Sequence, residues 1–323
     1  MDKELLDKTG LTHMSPETFS KKEIVLRDGR DAILWVDSET GHGILDPAFW
    51  VPEDFYEEEY RRQFSAKSDG EETSPEHHLE IYQKLNNKQF NHFKKLLSDE
   101  SKVLEIGASF GGILRLVQQS GVSDCHAIEP NLQDADFLRR SITGIEVFQD
   151  TFENAPLENS FYDLIICFEV LEHVADPGRF VSRLSEILKP GGAVNFEVPN
   201  HRAALFECYQ KTNHDRFYYH KAHIHYFTSE SLALLFAEHG IDGQSKSFAT
   251  YPFFNHVFWH FNKGPQASAE IAFTTPQPAH GNHPSVEPIN KFYEKAEAEY
   301  EELLNSTGGG DCLVFQGRKK TSD

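Results

Sequence analysis

The stretch Lys102–Gly112, KVLEIGASFGG, decides how the rest of the chain is read. Val103, Leu104 and Ile106 suit a strand buried on both faces. Gly107 and Gly111 let the backbone turn sharply and approach a ligand with no Cβ in the way. Ile113, Leu114, Leu116 and Val117 then recur at helical spacing, so the pattern predicts strand, tight turn and helix, with the first N–H groups of the helix facing the ligand. Several classes of nucleotide-binding enzyme share such a turn, and Ser109 stands where a second glycine is usual, so the neighbouring segments must decide between them.

Outward from that turn, CHAIEP at Cys125–Pro130 reads as a second buried strand. It ends in Glu129, about 22 residues beyond Gly107, the spacing at which an acid meets a ribose diol. A third run, IEVFQD, ends in Asp150; YDLIICFE follows from Tyr162 to Glu169, then LEHV at Leu171–Val174 and LKPGG at Leu188–Gly192. Alternating strands and helices predict a parallel sheet with right-handed crossovers. Ligands of such sheets sit at the carboxyl ends of the strands, which puts Glu105 to Gly111, Glu129, Asp150, Glu169 and Asn200 along one rim.

This ordered set, from Leu104 to about Ile241, resembles the class I S-adenosylmethionine-dependent methyltransferases, in the branch that includes ubiquinone-type and sugar-type enzymes. The resemblance implies an α/β, Rossmann-like, seven-stranded and mostly parallel sheet whose last strand is antiparallel; CLVFQGRK at Cys312–Lys319 looks like that strand. It implies S-adenosylmethionine as cofactor. Glu105, Gly107, Ala108, Ser109 and Gly111 would meet its methionine part, Glu129 with Pro130 the ribose hydroxyls, and Asp150, Thr151 and Phe152 the adenine, with Glu169 on the same rim. Two adjacent hydroxyls are donors suited to a carboxylate, and the exocyclic amine of adenine is a donor suited to Asp150.

The flanks divide the chain further. Residues 1–75 are expected to hold a loose polar tail over the first twenty, then a β-rich appendage and a helix. Within it, KEIVLRDGRDAILWVD at Lys22–Asp37 has the Asp28-Gly29 signature of a hairpin, Gly41–Pro47 offers a third strand, and Phe55, Tyr56 and Tyr60 have helical spacing. Sugar-type relatives often carry a zinc-binding cysteine module in this region; no cysteine precedes Cys125, so no structural zinc is expected here. The core covers 76–251 and opens with a long helix. An insertion at 252–310 carries the run YPFFNHVFWHF and a charged helix, and reads as an acceptor-side lid or as a contact between two copies, a homodimer. Residues 311–323 supply the last strand and a tail.

Composition narrows the partners. Lys and Arg total 31 against 51 for Asp and Glu, a formal charge of -20, which disfavours a nucleic-acid partner. No apolar run approaches the ~20 residues that span a bilayer, and the scattered cysteines suit reduced core thiols, so a soluble, cytoplasmic protein with no membrane partner is expected.

Catalysis has three readings. His173, His201 or His225 can serve as general base for a hydroxyl acceptor, because imidazole titrates near neutrality. Alternatively Glu169, Glu172 and His173, with a later histidine from the set at 201, 214, 220, 223 and 225, can hold a divalent ion that gathers the acceptor's oxygens, as in small-RNA 2′-O-methyltransferases. Packing beside the cofactor is the third. The sequence thus points to methyl transfer onto a small molecule or glycan, most simply at oxygen. A methyltransferase-like scaffold or activator protein is the rival from another class, and a nicotinamide oxidoreductase is a more distant one.

Overall fold

The computed structural model describes residues 1–52, 55, 67–68, 71–72, 74–209 and 213–321. The chain begins with helix α1, Lys3–Lys8, whose first turn is capped by the Asp2 carboxylate accepting from the Glu4 N–H. The expected loose tail is instead packed: Leu6 and Leu11 are buried and join the core of the main sheet. Gly10 permits the approach, since a Cβ there would lie 2.3 Å from the Asp176 carboxylate. Two apolar side chains in a polar stretch therefore suffice to anchor it.

Strands β1, Phe19–Val25, and β2, Asp31–Asp37, form the expected hairpin, in register from Phe19 opposite Asp37 to Val25 opposite Asp31. Gly29 takes the left-handed conformation (φ +86°) that the turn requires. β3, Gly43–Leu45, adds to β2. The fourth strand of this sheet comes from far along the chain, because His225–Tyr226 pairs antiparallel with β3. The appendage is thus closed by a segment of the core. Of the helix expected around Phe55, Tyr56 and Tyr60, only Phe55 is described, and it is buried.

The main sheet has seven strands: β4 Lys102–Ile106, β5 Asp124–Ile128, β6 Glu146–Phe148, β7 Tyr162–Phe168, β8 Leu188–Pro199, β10 Ile241–Phe248 and β11 Cys312–Lys319, with β9 being His225–Tyr226 of the small sheet. Their order is β10-β11-β8-β7-β4-β5-β6. Neighbours pair in parallel except that β11 runs antiparallel to both β8 and β10, the expected arrangement. Val103 and Leu104 are both fully buried, one against each face. On one face pack α5, Pro177–Ile187, and α6, Ser229–Glu238, through Phe180, Leu184, Leu232 and Phe236. On the other lie α2, Pro75–Phe93, and α3, Gly112–Gln119, through Phe93, Ile113, Leu114 and Val117. Burying each of these aliphatic or aromatic side chains contributes roughly 1.5–3 kcal/mol.

Caps fix where the helices start. Asn131 accepts from Gln133 and Asp134 N–H groups to open α4, Leu132–Ser141, and Thr228 and Ser231 form a reciprocal capping box at α6. The insertion folds mainly as α7, Phe253–Asn262, and α8, Val286–Thr307, which ends at Gly308 in the left-handed conformation. It packs on α2: Lys84 donates to Thr275, Lys88 pairs with Glu301 at 2.7 Å, and the Tyr82 ring meets Phe273. No helix among the described residues is long and apolar enough to cross a membrane.

Candidate functional site

The carboxyl end of β4 carries the glycine turn. Gly107 has φ +75°, and a Cβ on it would stand 2.4 Å from Val170 Cγ2, so the turn lies directly against the loop that leaves β7. Gly111, at φ +76°, begins α3 and leaves no room for a Cβ between Leu138 and Ile142. Ser109, where a glycine is usual, adopts a left-handed φ of +48°, and Glu169 at the end of β7 has φ +55°. Non-glycine residues in this region cost on the order of 1–3 kcal/mol and cluster at functional sites. Both stand on the same rim of the sheet.

Glu129 ends β5 and is buried. Its carboxylate accepts from Ser109 N–H at 2.8 Å through Oε2 and from Asn131 N–H at 3.0 Å through Oε1. These two bonds fix its orientation beside the glycine turn, and each carboxylate oxygen has capacity for a second donor. Glu105, within β4, is buried with Oε2 lacking a hydrogen-bond partner; burial pushes its carboxyl well above the usual range. A glycine cradle, an oriented carboxylate and an orphaned buried oxygen fit a ligand bearing a ribose diol and an ammonium group.

Other expected residues are placed differently. Asp150 accepts from Thr151 N–H at 2.8 Å, at the end of the third parallel strand. Phe152 is buried, with its ring centroid 4.4 Å from that of Phe180 in the core. His225 lies in the small sheet with Nδ1 3.1 Å from His42 Nε2, and burial lowers it to about 3. His201 donates from Nδ1 to the Gly41 carbonyl at 2.9 Å and receives the Tyr219 hydroxyl at Nε2, at 3.3 Å; burial lowers it to about 4. These two histidines fasten the appendage. A cleft of about 620 Å³ between α2 and the insertion is lined by His77, Glu80, Lys84, Phe273 and Glu294 among others, and by none of the expected cofactor residues. In open α/β sheets ligands bind at the carboxyl ends of the strands.

His173 stands apart from the other two. It follows β7 on a short 3-10 turn, Leu171–His173, and its Nδ1 donates to the Ala222 carbonyl at 2.7 Å. Burial lowers it to about 4. Its Nε2 faces Glu172 Oε1 at 3.7 Å, and His223 Nε2 faces the same oxygen at 3.8 Å. Glu172 is buried, and neither carboxylate oxygen has a hydrogen-bond partner among the described residues. Burial, with Glu197 nearby, raises it to about 8. Glu169 belongs to a different group, with Glu197 and Cys312, whose thiol donates to it at 3.6 Å. Burial and the carboxyls of Glu172 and Glu197 push Glu169 well above the usual carboxylate range, against the Cys312 thiol that donates to it, although its side chain is exposed at the surface. Glu197 and Cys312 escape a sequence reading because their neighbours alternate as ordinary core strands.

Comparison with known proteins shows the family. A relative from Pectobacterium atrosepticum, a ubiquinone biosynthesis O-methyltransferase, is 32% identical over 107 residues, covering 32% of this chain and 44% of that protein. A glycine/sarcosine/dimethylglycine N-methyltransferase from Actinopolyspora halophila is 30% identical over 111 residues, 32% of this chain and 19% of that protein. The aligned stretch thus spans less than half the length of these curated relatives. Among solved structures, an S-adenosylmethionine-dependent methyltransferase from Thermotoga maritima, described as a possible histamine N-methyltransferase, aligns at 19% identity over 76% of this chain and 94% of that one, with a TM-score of 0.48. The profile of a methyltransferase domain matches residues 76–246, more than half of the sequence. On that match the chain belongs to the S-adenosylmethionine-dependent methyltransferases, and S-adenosylmethionine is its cofactor.

Proposed function

We propose that the protein transfers a methyl group from S-adenosylmethionine to a hydroxyl oxygen of a small molecule. The observation that carries this is the Glu129 carboxylate, held by Ser109 and Asn131 N–H groups against the Gly107–Gly111 turn. Bound S-adenosylmethionine supplies an electrophilic methyl on a sulfonium. What the protein must add is alignment of the acceptor and removal of its proton. Glu129 receives the two ribose hydroxyls, and Asp150 with Thr151 bounds the adenine side. The Gly107 turn brings the reacting end against Val170, so the acceptor enters beside the loop carrying Glu172 and His173. His173, oriented by the Ala222 carbonyl, presents Nε2 on that side and is the histidine we assign to the acceptor's proton. Oxygen as the attacked atom draws on the likeness to the ubiquinone-type relative; the glycine-type relative methylates nitrogen, which makes an amine the second reading.

Calorimetric titration tests the core of the proposal. S-adenosylhomocysteine is expected to bind at micromolar concentration, and Glu129→Ala to weaken it while leaving the fold intact. No heat with either cofactor form at high micromolar concentration would favour a non-catalytic scaffold. Product analysis with paired phenol and amine acceptors separates oxygen from nitrogen.

A further inference from the structure

We propose that the molecule receiving the methyl group carries a protonated amine, which seats on the carboxyls of Glu169 and Glu197 where β7 and β8 end. The proposal rests on the methyl-transfer reading and names the chemical class of its acceptor, a hydroxy compound with a basic nitrogen.

The sheet brings the two acids together. Glu169 N–H donates to the Glu197 carbonyl at 2.9 Å, and Pro199, two residues further along β8, lies opposite Cys312 at the start of β11. One oxygen from each carboxyl and the Cys312 sulfur all lie within 4.8 Å of one another. Glu197 is 1% exposed. Its Oε1 accepts from Gln89 Nε2 of α2 at 2.9 Å, whereas its Oε2 has no hydrogen-bond partner among the described residues. Glu169 is exposed. A molecule that reaches Glu169 from solvent is therefore one side chain away from the unpaired oxygen of Glu197.

Charge selects the ligand. Burial pushes the Glu197 carboxyl up against the bond from Gln89, and burial with Glu172 and Glu197 pushes Glu169 up; no lysine or arginine among the described residues offsets either. Two carboxyls so close together favour a cation over a neutral or anionic group. An ammonium has three N–H donors, enough to meet both acids at once, and each such bond is charge-assisted. Tyr251, stacked on Phe273 of the insertion at 4.9 Å, is near enough to Cys312 and Glu169 for them to add to burial, Tyr82 and Asp311 in pushing its hydroxyl up. An aromatic ring beside carboxyls suits an ammonium as well. The formal charge of -20 draws cations toward the protein as a whole.

Position separates this ammonium from the one on the cofactor. Gly107, Glu129 and Asp150 follow β4, β5 and β6, whereas Glu169, Glu197 and Cys312 belong to β7, β8 and β11, the next three strands on the other side of β4. The two halves meet where Val170, next to Glu169, lies against the Gly107 turn. Glu105, within β4 and with its own unpaired oxygen, is the acid placed for the cofactor's amino group. Held as an ammonium, the acceptor's nitrogen has no lone pair to offer the sulfonium, so it anchors the molecule and leaves the hydroxyl to react.

The test titrates tyramine and para-ethylphenol, which differ only in the amino group, into the full chain by calorimetry, with and without S-adenosylhomocysteine. Tyramine is expected to bind tighter on the order of tenfold to a hundredfold. The near-isosteric Glu197→Gln should erase that preference, and so should Glu169→Gln, whose exposed side chain puts no folding at stake. Equal affinity for the two probes, no binding of either at millimolar concentration, or a preference that survives either variant overturns the site. Glu197→Gln should leave the affinity for S-adenosylhomocysteine unchanged; weakening would hand the carboxyls to the cofactor's amino group and overturn the acceptor assignment. Absence of S-adenosylhomocysteine binding with the tyramine preference intact would remove methyl transfer and leave the ammonium site standing.

Discussion

Two buried acid–histidine groups, one at the start of the last strand and one on the turn after β7, are satisfied in opposite ways. In one, His256 lies 3.0 Å from Asp311 Oδ1 and 2.8 Å from the Tyr300 hydroxyl, which in turn meets Tyr209 at 2.7 Å. The second oxygen of Asp311 accepts from the N–H groups of Thr250 and Tyr251 at 3.2 Å each. In the other, Glu172 faces two imidazoles at 3.7 and 3.8 Å, and apart from its own backbone N–H its carboxylate has no hydrogen-bond partner among the described residues. Same residue types, similar burial, different completion. A network closed by the chain itself fixes structure, here by pinning α7 and α8 of the insertion to the start of β11. A carboxylate that the chain buries without such partners among the described residues pins nothing together.

The largest expected effect breaks the closed group. Asp311→Ala leaves Nε2 of the buried His256 without its carboxylate partner and frees two backbone donors, so it should destabilise the protein by about 3–5 kcal/mol in denaturant titration. Burial opposes the charge of Asp311, but the His256 imidazole and the Tyr251 N–H outweigh it and hold the carboxyl below its usual range. A depressed folded-state value means the stabilisation is complete above the unfolded carboxylate range and is lost as pH falls through the folded one. Asp311→Asn should therefore flatten the acid limb of a stability–pH curve. An unchanged limb would show that Asp311 is not charged in the native state.

Next in size is Glu129, which belongs to neither extreme: two backbone donors orient it, and in the proposed function the cofactor's ribose would complete it. Removing a hydrogen-bonding partner that carries charge costs about 1.5–3 kcal/mol. Glu129→Ala should weaken S-adenosylhomocysteine by that amount in calorimetry with little change in melting temperature. A loss of folding instead of affinity would class Glu129 with Asp311.

A smaller effect belongs to the glycine turn. Gly107→Ala meets Val170 Cγ2 at 2.4 Å and places a side chain at φ +75°. The backbone part costs roughly 1–2 kcal/mol. Gly107→Ala with Val170→Ala should recover the clash and leave that backbone part, read as a partial return of the melting temperature; full recovery would mean that conformation is not strained there.

How much of this the sequence disclosed depended on distance along the chain. Gly107, Glu129 and Asp150 are legible because each closes an apolar run, and the order of such runs fixes strand order and rim. The antiparallel last strand was legible for the same reason. Asp311 and His256 were not: they are 55 positions apart, and neither lies in a patterned run that points at the other. Phe152 was not decided by the sequence, because an aromatic after a strand end can face the ligand or the core. His220, His223 and His225 crowd one irregular segment with no periodicity to sort them. The pairing of His225 with Ile44 in the small sheet, and the bond from Ile224 N–H to the Glu172 carbonyl, send adjacent histidines to different tasks.

The smallest expected effect is also the sharpest test of the contrast. Glu172→Gln replaces a buried carboxylate that has no hydrogen-bond partner beyond its own backbone N–H among the described residues with an amide of nearly the same shape. Nothing already made is lost, so the destabilisation that accompanies a broken network has no source here. The amide brings two N–H donors that can turn toward the imidazole nitrogens of His173 and His223, an orientation a carboxylate cannot offer. The change in unfolding free energy should lie within about 1 kcal/mol of zero, and stabilisation is the expected sign, because a group that is costly to bury ionised has been exchanged for a neutral one. Guanidinium titration of the variant beside Asp311→Ala measures the difference directly. A loss as large as that of Asp311→Ala would mean that Glu172 is held by bonds within the chain, and the distinction between the two groups would fall.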